Sequence, residues 1–138
     1  MNRYPLLIAL CVSVAALVAA LVVPSALAGS RAKTLVTTIN VTAGKPSEFR
    51  FKLAKSSAKR GVIVFKIKNS GVIPHDFKLC SKRSSSLKNS CTGRGTKLIN
   101  VGSSATLRVS VLVKGTYEYL CTVPGHAAQG MKGLFKVT

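Results

Sequence analysis

Beyond the first thirty or so residues, hydrophobic and polar positions alternate almost without interruption. Leu35, Thr37, Ile39 and Val41 fall on one face and Val36, Thr38, Asn40 and Thr42 on the other, the two-residue period of a strand. After the turn "AGKP", the segment "SEFRFKL" sets Phe49, Phe51 and Leu53 against Arg50 and Lys52. The polar break "KSSAKRG" is followed by "VIVFKIKN", with Ile63, Phe65 and Ile67 inward and Lys66 and Lys68 outward. "VIPHDFKL" is interrupted by Pro74, which suits a strand entrance or an edge because proline donates no ladder hydrogen bond. Residues 81–95, rich in Ser, Lys, Arg and Gly, read as loop. Three further strands follow: one centred on Leu107, Val109 and Val111, one at "TYEYL" with Tyr117 and Tyr119 alternating with Glu118, and "GLFKVT" with Phe135 and Val137 on one side.

No window in this region has a period near 3.6, and β-branched residues crowd every apolar run. About seven to eight short strands separated by Gly, Pro and Ser turns predict an all-β fold, a Greek-key antiparallel sandwich or barrel. The sequon Asn40-Val41-Thr42 falls inside a strand and carries little weight.

The start of the chain is different. From Leu6 to Val23 there is no charged residue, and Ala26-Leu27-Ala28 forms a small-x-small cleavage pattern behind Pro24. Residues 1–28 therefore read as a signal peptide, with a retained membrane anchor as the rival. Cys11 lies inside the run behind the bulky Leu10, which suits a small hydrophobe better than a lipidation site. Residues 29–138 are long enough for one domain and too short for two. The chain is placed outside the cytoplasm: periplasmic, extracellular or on the cell surface.

Charge narrows the partners. Twenty-one Lys and Arg stand against three acids, a net charge of +18, so the molecule presents a strong positive field. Acidic redox proteins are the expected partners, with an anionic membrane surface as a second candidate. The aromatic residues occupy inward positions and leave no platform for stacking bases, so nucleic acid is not expected. The chain is taken as a monomer.

Three cysteines follow the leader, Cys80, Cys91 and Cys121. An odd number in an oxidising compartment leaves one free. Three pairings are open; Cys80 and Cys91 bracket one polar segment, "CSKRSSSLKNSC", that a disulfide would staple as a loop. Cys121 would then be the free thiol. It stands in "YLCTVPGHAAQGM", where Cys121, His126 and Met131 recur at five-residue steps on one interstrand connection. His75, beyond another strand, is the only other histidine. A thiolate, two imidazoles and a thioether mix soft sulfur with borderline nitrogen, a set that suits copper in both oxidation states. Zinc is the metal rival, disfavoured by the methionine. A Cys–His nucleophile is the enzymatic rival, but it has neither a helix N-terminus nor an evident oxyanion hole.

"CTVPGHAAQGMKG" together with the upstream "PHDF" resembles the cupredoxin family, the small blue copper proteins typified by plastocyanin and azurin. The Cys-x4-His-x4-Met loop is closer in length to that of azurin. The resemblance implies one type 1 copper ion with His75, Cys121 and His126 as equatorial ligands and Met131 as the weak axial one. It further implies single-electron transfer between larger redox partners and no enzymatic activity. A partner would meet the edge of His126, with Val123, Pro124, Ala127 and Ala128 as an apolar docking patch. The alternative on the same fold is a copper carrier or sequestering protein without redox turnover, and catalysis at an open copper position is a third reading. Many family members carry Asn directly after the first histidine. Here Asp76 stands in that place, with Thr122 after the cysteine, so Asp76 is expected to accept from the Thr122 hydroxyl or backbone and orient the site. The purpose of the basic 81–95 segment does not follow from the resemblance.

Overall fold

A computed structural model describes residues 34–138. The leader, with its cleavage pattern and Cys11, lies outside the described residues. Among the described residues nine strands form: β1 (Val36–Ala43), β2 (Phe51–Leu53), β3 (Ser57–Ala58), β4 (Gly61–Asn69), β5 (Lys78–Arg83), β6 (Gly93–Gly95), β7 (Ser104–Val111), β8 (Gly115–Leu120) and β9 (Lys132–Val137). They build two sheets, ordered β2-β1-β4-β7 and β3-β9-β8-β5-β6, a sandwich and not a closed barrel.

The alternation read from the sequence sets the core. Ile39, Val41 and Ala43 of β1, Ile63, Phe65 and Ile67 of β4, and Leu107, Val109 and Val111 of β7 are all buried. They face Leu79, Tyr117, Phe135 and Val137 of the other sheet, and Phe77 just before β5, in one apolar cluster. Phe65 is the hub, with ring centroids 5.1 Å from Phe77 and 5.2 Å from Phe135. Such aromatic contacts add to the burial term.

Three features depart from the pattern reading. First, β1 pairs with β4 in parallel over eight residue pairs, and β3 pairs with β9 in parallel. Between β1 and β4 the chain passes through the edges of both sheets, so β4 returns in the direction of β1. Alternation is the same in either direction and carries no sign of this. Second, residues 81–95 are not all loop. Ser81–Arg83 continue β5, and Gly93–Gly95 form β6 against Lys78–Cys80. These backbone bonds need no apolar alternation, and the Cys80–Cys91 disulfide closes the connection between the strands. Third, Glu118 is 1% exposed although it lies opposite the main core. The 84–91 segment covers that face of β8, and the carboxylate of Glu118 accepts a hydrogen bond from the backbone N–H of Lys88 at 2.5 Å. Cys80, Leu120 and Ala127, with Cys91 packed against them, form a small second cluster. The basic segment thus covers the outer face of the second sheet.

Phe65→Ala is expected to lower the unfolding free energy by about 3–5 kcal/mol. The check is a lower guanidinium midpoint with an unchanged slope.

Candidate metal centre

Cys121 directly follows β8, and the connection to β9 folds back on it. The N–H of Cys121 donates to the carbonyl of Met131 at 3.0 Å, and the N–H of Met131 donates to the carbonyl of His126 at 3.0 Å. His126 N–H donates to the carbonyl of Val123 at 3.1 Å. These bonds close the connection between β8 and β9 into tight turns. Gly130, at φ 104°, makes one of them in a region L side chains rarely adopt. A Cβ there would also lie 1.8 Å from Arg50 Nη1, which donates to the carbonyl of Gln129.

His75 comes from the other side. It is held by a two-way backbone bridge to Ile99, its N–H donating at 3.2 Å and its carbonyl accepting at 2.7 Å. The turn before it is braced by the fully buried Asn69. Its amide donates to the carbonyls of Ile73 and Ile99 at 2.9 Å each, and its side-chain oxygen accepts from Gly71 N–H at 2.9 Å.

These supports bring His75, Cys121 and His126 together. One donor atom from each lies within 4.8 Å of the others, and all three residues are buried. The two Nδ1 atoms are 3.1 Å apart, and Cys121 Sγ lies 3.5 Å from His126 Nδ1. Met131 is fully buried in the same apolar cluster as Cys121. His126 is 7% exposed and His75 is fully buried, so His126 is the histidine nearest to solvent.

The electrostatics favour a metal over a free nucleophile. Burial, with the negative charge of Asp76 adding to it, pushes the Cys121 thiol up to about 12, against the opposing N–H groups of Asp76 and Val123. A thiol this weakly acidic is a poor nucleophile near neutrality, whereas a coordinating metal deprotonates it outright. Burial and the adjacent His75 lower the pKa of His126, which keeps its imidazole neutral and available as a ligand. Two imidazole nitrogens facing each other beside a buried sulfur are well placed to share a cation. His75, Cys121, His126 and Met131 form a type 1 copper site arrangement, and the donor chemistry fits that ion.

The family description "Copper binding proteins, plastocyanin/azurin family" matches residues 37–138. The chain belongs to that family. Auracyanin-B of Chloroflexus aurantiacus is 44% identical over 43 residues, 31% of this chain and 18% of that relative's length. Among solved structures, rusticyanin from Thiobacillus ferrooxidans superposes with a TM-score of 0.60 at 21% identity, covering 75% of this chain and 77% of that one. Auracyanin A, described as a "blue" copper protein from Chloroflexus aurantiacus, gives 0.56 at 20% identity, covering 75% and 100%. At these identities the structural likeness speaks for the fold alone.

Around the cupredoxin centre, Asp76 accepts from Thr122 twice, from the backbone N–H at 2.5 Å and from the hydroxyl. This ties the β4–β5 connection, which carries one ligand, to the loop carrying the others. The N–H of Asp76 also points at Cys121 Sγ, 3.5 Å away. Cys80 and Cys91 form the disulfide, with an S–S distance of 2.02 Å, and Cys121 is the free cysteine among the described residues. The anticipated apolar patch is smaller than expected. Pro124 and Ala128 are exposed and Val123 is half-buried, but Ala127 is 4% exposed and packs inward with Cys80 and Leu120. The turn that leaves only the edge of His126 near solvent also puts the next side chain inward.

Sequence reasoning missed two residues, Glu48 and Asn69. Glu48 Oε1 lies 2.8 Å from His75 Nε2. The one available signal was scarcity, since a chain with only three acids has few to leave idle on its surface.

Because the metal must displace the thiol proton, copper affinity should rise about tenfold per pH unit between about pH 7 and 9. His126, with its lowered pKa, is already neutral there and adds nothing to the slope. Chelator competition across this range measures it, and a flat profile would remove Cys121 from the ligand set.

Proposed function

We propose that this protein is an exported electron carrier that passes single electrons between redox partners through one type 1 copper ion. When bound, copper supplies a one-electron Cu(I)/Cu(II) couple. His75, Cys121, His126 and Met131 would hold it. The observation that carries the reading is the convergence of three buried donors within 4.8 Å. Each is fixed by backbone bonds that involve no metal, so the ligand geometry need change little between oxidation states.

The same burial weighs against a carrier that hands copper on. Ligand exchange needs accessible donors, and His75, Cys121 and Met131 are all fully buried. The 7% exposed edge of His126, flanked by Pro124 and Ala128, is the natural place for a partner to dock.

Partner choice follows from charge. All three acids are engaged in hydrogen bonds, Glu48 with His75, Asp76 with Thr122 and Glu118 with Lys88. Among the described residues no Lys or Arg pairs with an acid, the one close contact of that kind being His75 with Glu48, so the surface Lys and Arg stand uncompensated. Such a field would steer acidic redox partners, at rates that fall as salt rises. An anionic membrane is the second acidic surface that suits it. In this reading residues 1–28 are a cleaved export signal and 29–138 the working domain, acting outside the cytoplasm as a monomer without enzymatic activity.

Residues 29–138 with Cu(II) added are expected to show an intense blue absorption that Cys121→Ser abolishes. A colourless protein in both samples would sink the proposal. Electron exchange with an acidic partner should slow steeply as ionic strength rises, and stopped-flow rates across a salt series measure this.

A further inference from the structure

The connection between β1 and β2, residues 44–50, touches both histidines of the centre. Phe49 meets the ring of His126 edge-on at 5.1 Å. Glu48 reaches His75 from the side away from the other ligands. Its Oε1 lies 2.8 Å from Nε2, while Nδ1 of the same ring faces His126 Nδ1 at 3.1 Å. The carboxylate is itself anchored. Val72 N–H donates to Oε1 at 3.1 Å and to Oε2 at 2.9 Å, and Ile73 N–H donates to Oε1 at 3.2 Å. Gly71 makes room for it, since a Cβ there would sit 2.4 Å from Oε1. The Glu48 side chain is 23% exposed and that of His75 fully buried. The contact is therefore sheltered on the histidine side.

We propose that Glu48 is the positioning residue that holds His75 with its proton on Nε2, leaving Nδ1 as a lone pair aimed at the copper. Its negative charge then favours Cu(II) over Cu(I). The inference rests on the copper reading above and adds the residue that sets one ligand's tautomer and part of the potential. A neutral imidazole has one proton and two nitrogens. If the proton sat on Nδ1, the ring could not ligate from the side that faces Cys121 and His126. Glu48 accepts only from an Nε2–H, so the carboxylate and the metal select the same tautomer, and a carboxylate acceptor raises the ligand's basicity. Asp76, the other carboxylate at the centre, binds Thr122 and does not perform this task.

A purely structural role is the competing account: Glu48 could simply latch the 44–50 connection to the 70–73 turn through Val72 and Ile73. Two variants of the exported protein, expressed from the full chain, separate the accounts. Glu48→Gln keeps an acceptor oxygen for Nε2–H but removes the charge. Glu48→Ala removes both. Nitrogen-15 NMR of the metal-free proteins should show His75 as the Nε2–H tautomer alone in wild type and Glu48→Gln, and a mixture in Glu48→Ala. With copper, Glu48→Gln should keep the blue band and raise the reduction potential. If Cu(II) affinity drops tenfold more than Cu(I) affinity, the rise is about 59 mV. Glu48→Ala should bind Cu(II) about 10–100-fold more weakly.

A single Nε2–H tautomer persisting in Glu48→Ala, or an unchanged potential in Glu48→Gln, would overturn the proposal. If Glu48→Ala does not fold, the potential of Glu48→Gln decides alone. Wild type without a blue band would refute the copper reading, and the metal-free tautomer would still judge Glu48.

Discussion

Two imidazole nitrogens held 3.1 Å apart, beside a buried thiol, inside an apolar sandwich is the constraint on which the rest of this structure depends. Polar groups removed from water are costly unless something satisfies them, and these three sit within hydrogen-bond reach of one another. The scaffold forces the arrangement. The β8–β9 connection is locked by its own backbone bonds, and His75 by its bridge to Ile99. A cation would take a lone pair from each nitrogen and the charge of the thiolate. The fold therefore builds a site whose donors suit a bound metal ion.

The distribution of carboxylates is the second organising fact. A chain of net charge +18 has three acids, and the fold draws each into hydrogen bonds with the protein itself. Two stand at the copper centre, where Glu48 bonds to a ligand histidine and Asp76 bonds the loop of the other ligands. The third, Glu118, pins the basic segment over the outer face of the second sheet. Negative charge near the metal is thus local and oriented, while positive charge is spread over the surface and free of ion pairs among the described residues. The two act on different scales. Contacts at the site bear on the ion, and the long-range field bears on who approaches.

Order among the aromatics links the core to the centre. Phe65 packs on Phe77, Phe77 stacks on Tyr119 at 5.5 Å, and Phe51 joins them. Phe77 lies two residues after His75, and Tyr119 two before Cys121, so the rings that fill the core also fix the ends of the two segments that bring in the ligands. Close packing transmits rigidity, and a site that must not rearrange gains from being an extension of the core.

The sequence by itself determined the all-β class, the inward faces of β1, β4, β7 and β9, and the constellation His75, Cys121, His126 and Met131. All but His75 are local: alternation is a property of neighbouring residues, and a ligand loop with fixed spacing is legible because its three side chains share one connection, while His75 was legible as the one other histidine in the chain. Tertiary structure decided what depends on residues distant in the chain. The parallel pairing of β1 with β4 leaves no trace in alternation. The pairing of Gly93–Gly95 with β5 is carried by backbone groups that every residue shares. Glu118 is buried because a separate segment folds over it, and Ala127 because a turn points it inward. Glu48 is 27 residues from His75, and nothing in "SEFRF" announces a partner. A hydrogen bond between two loops is set by where the sheets place their ends, and only the folded chain fixes that distance.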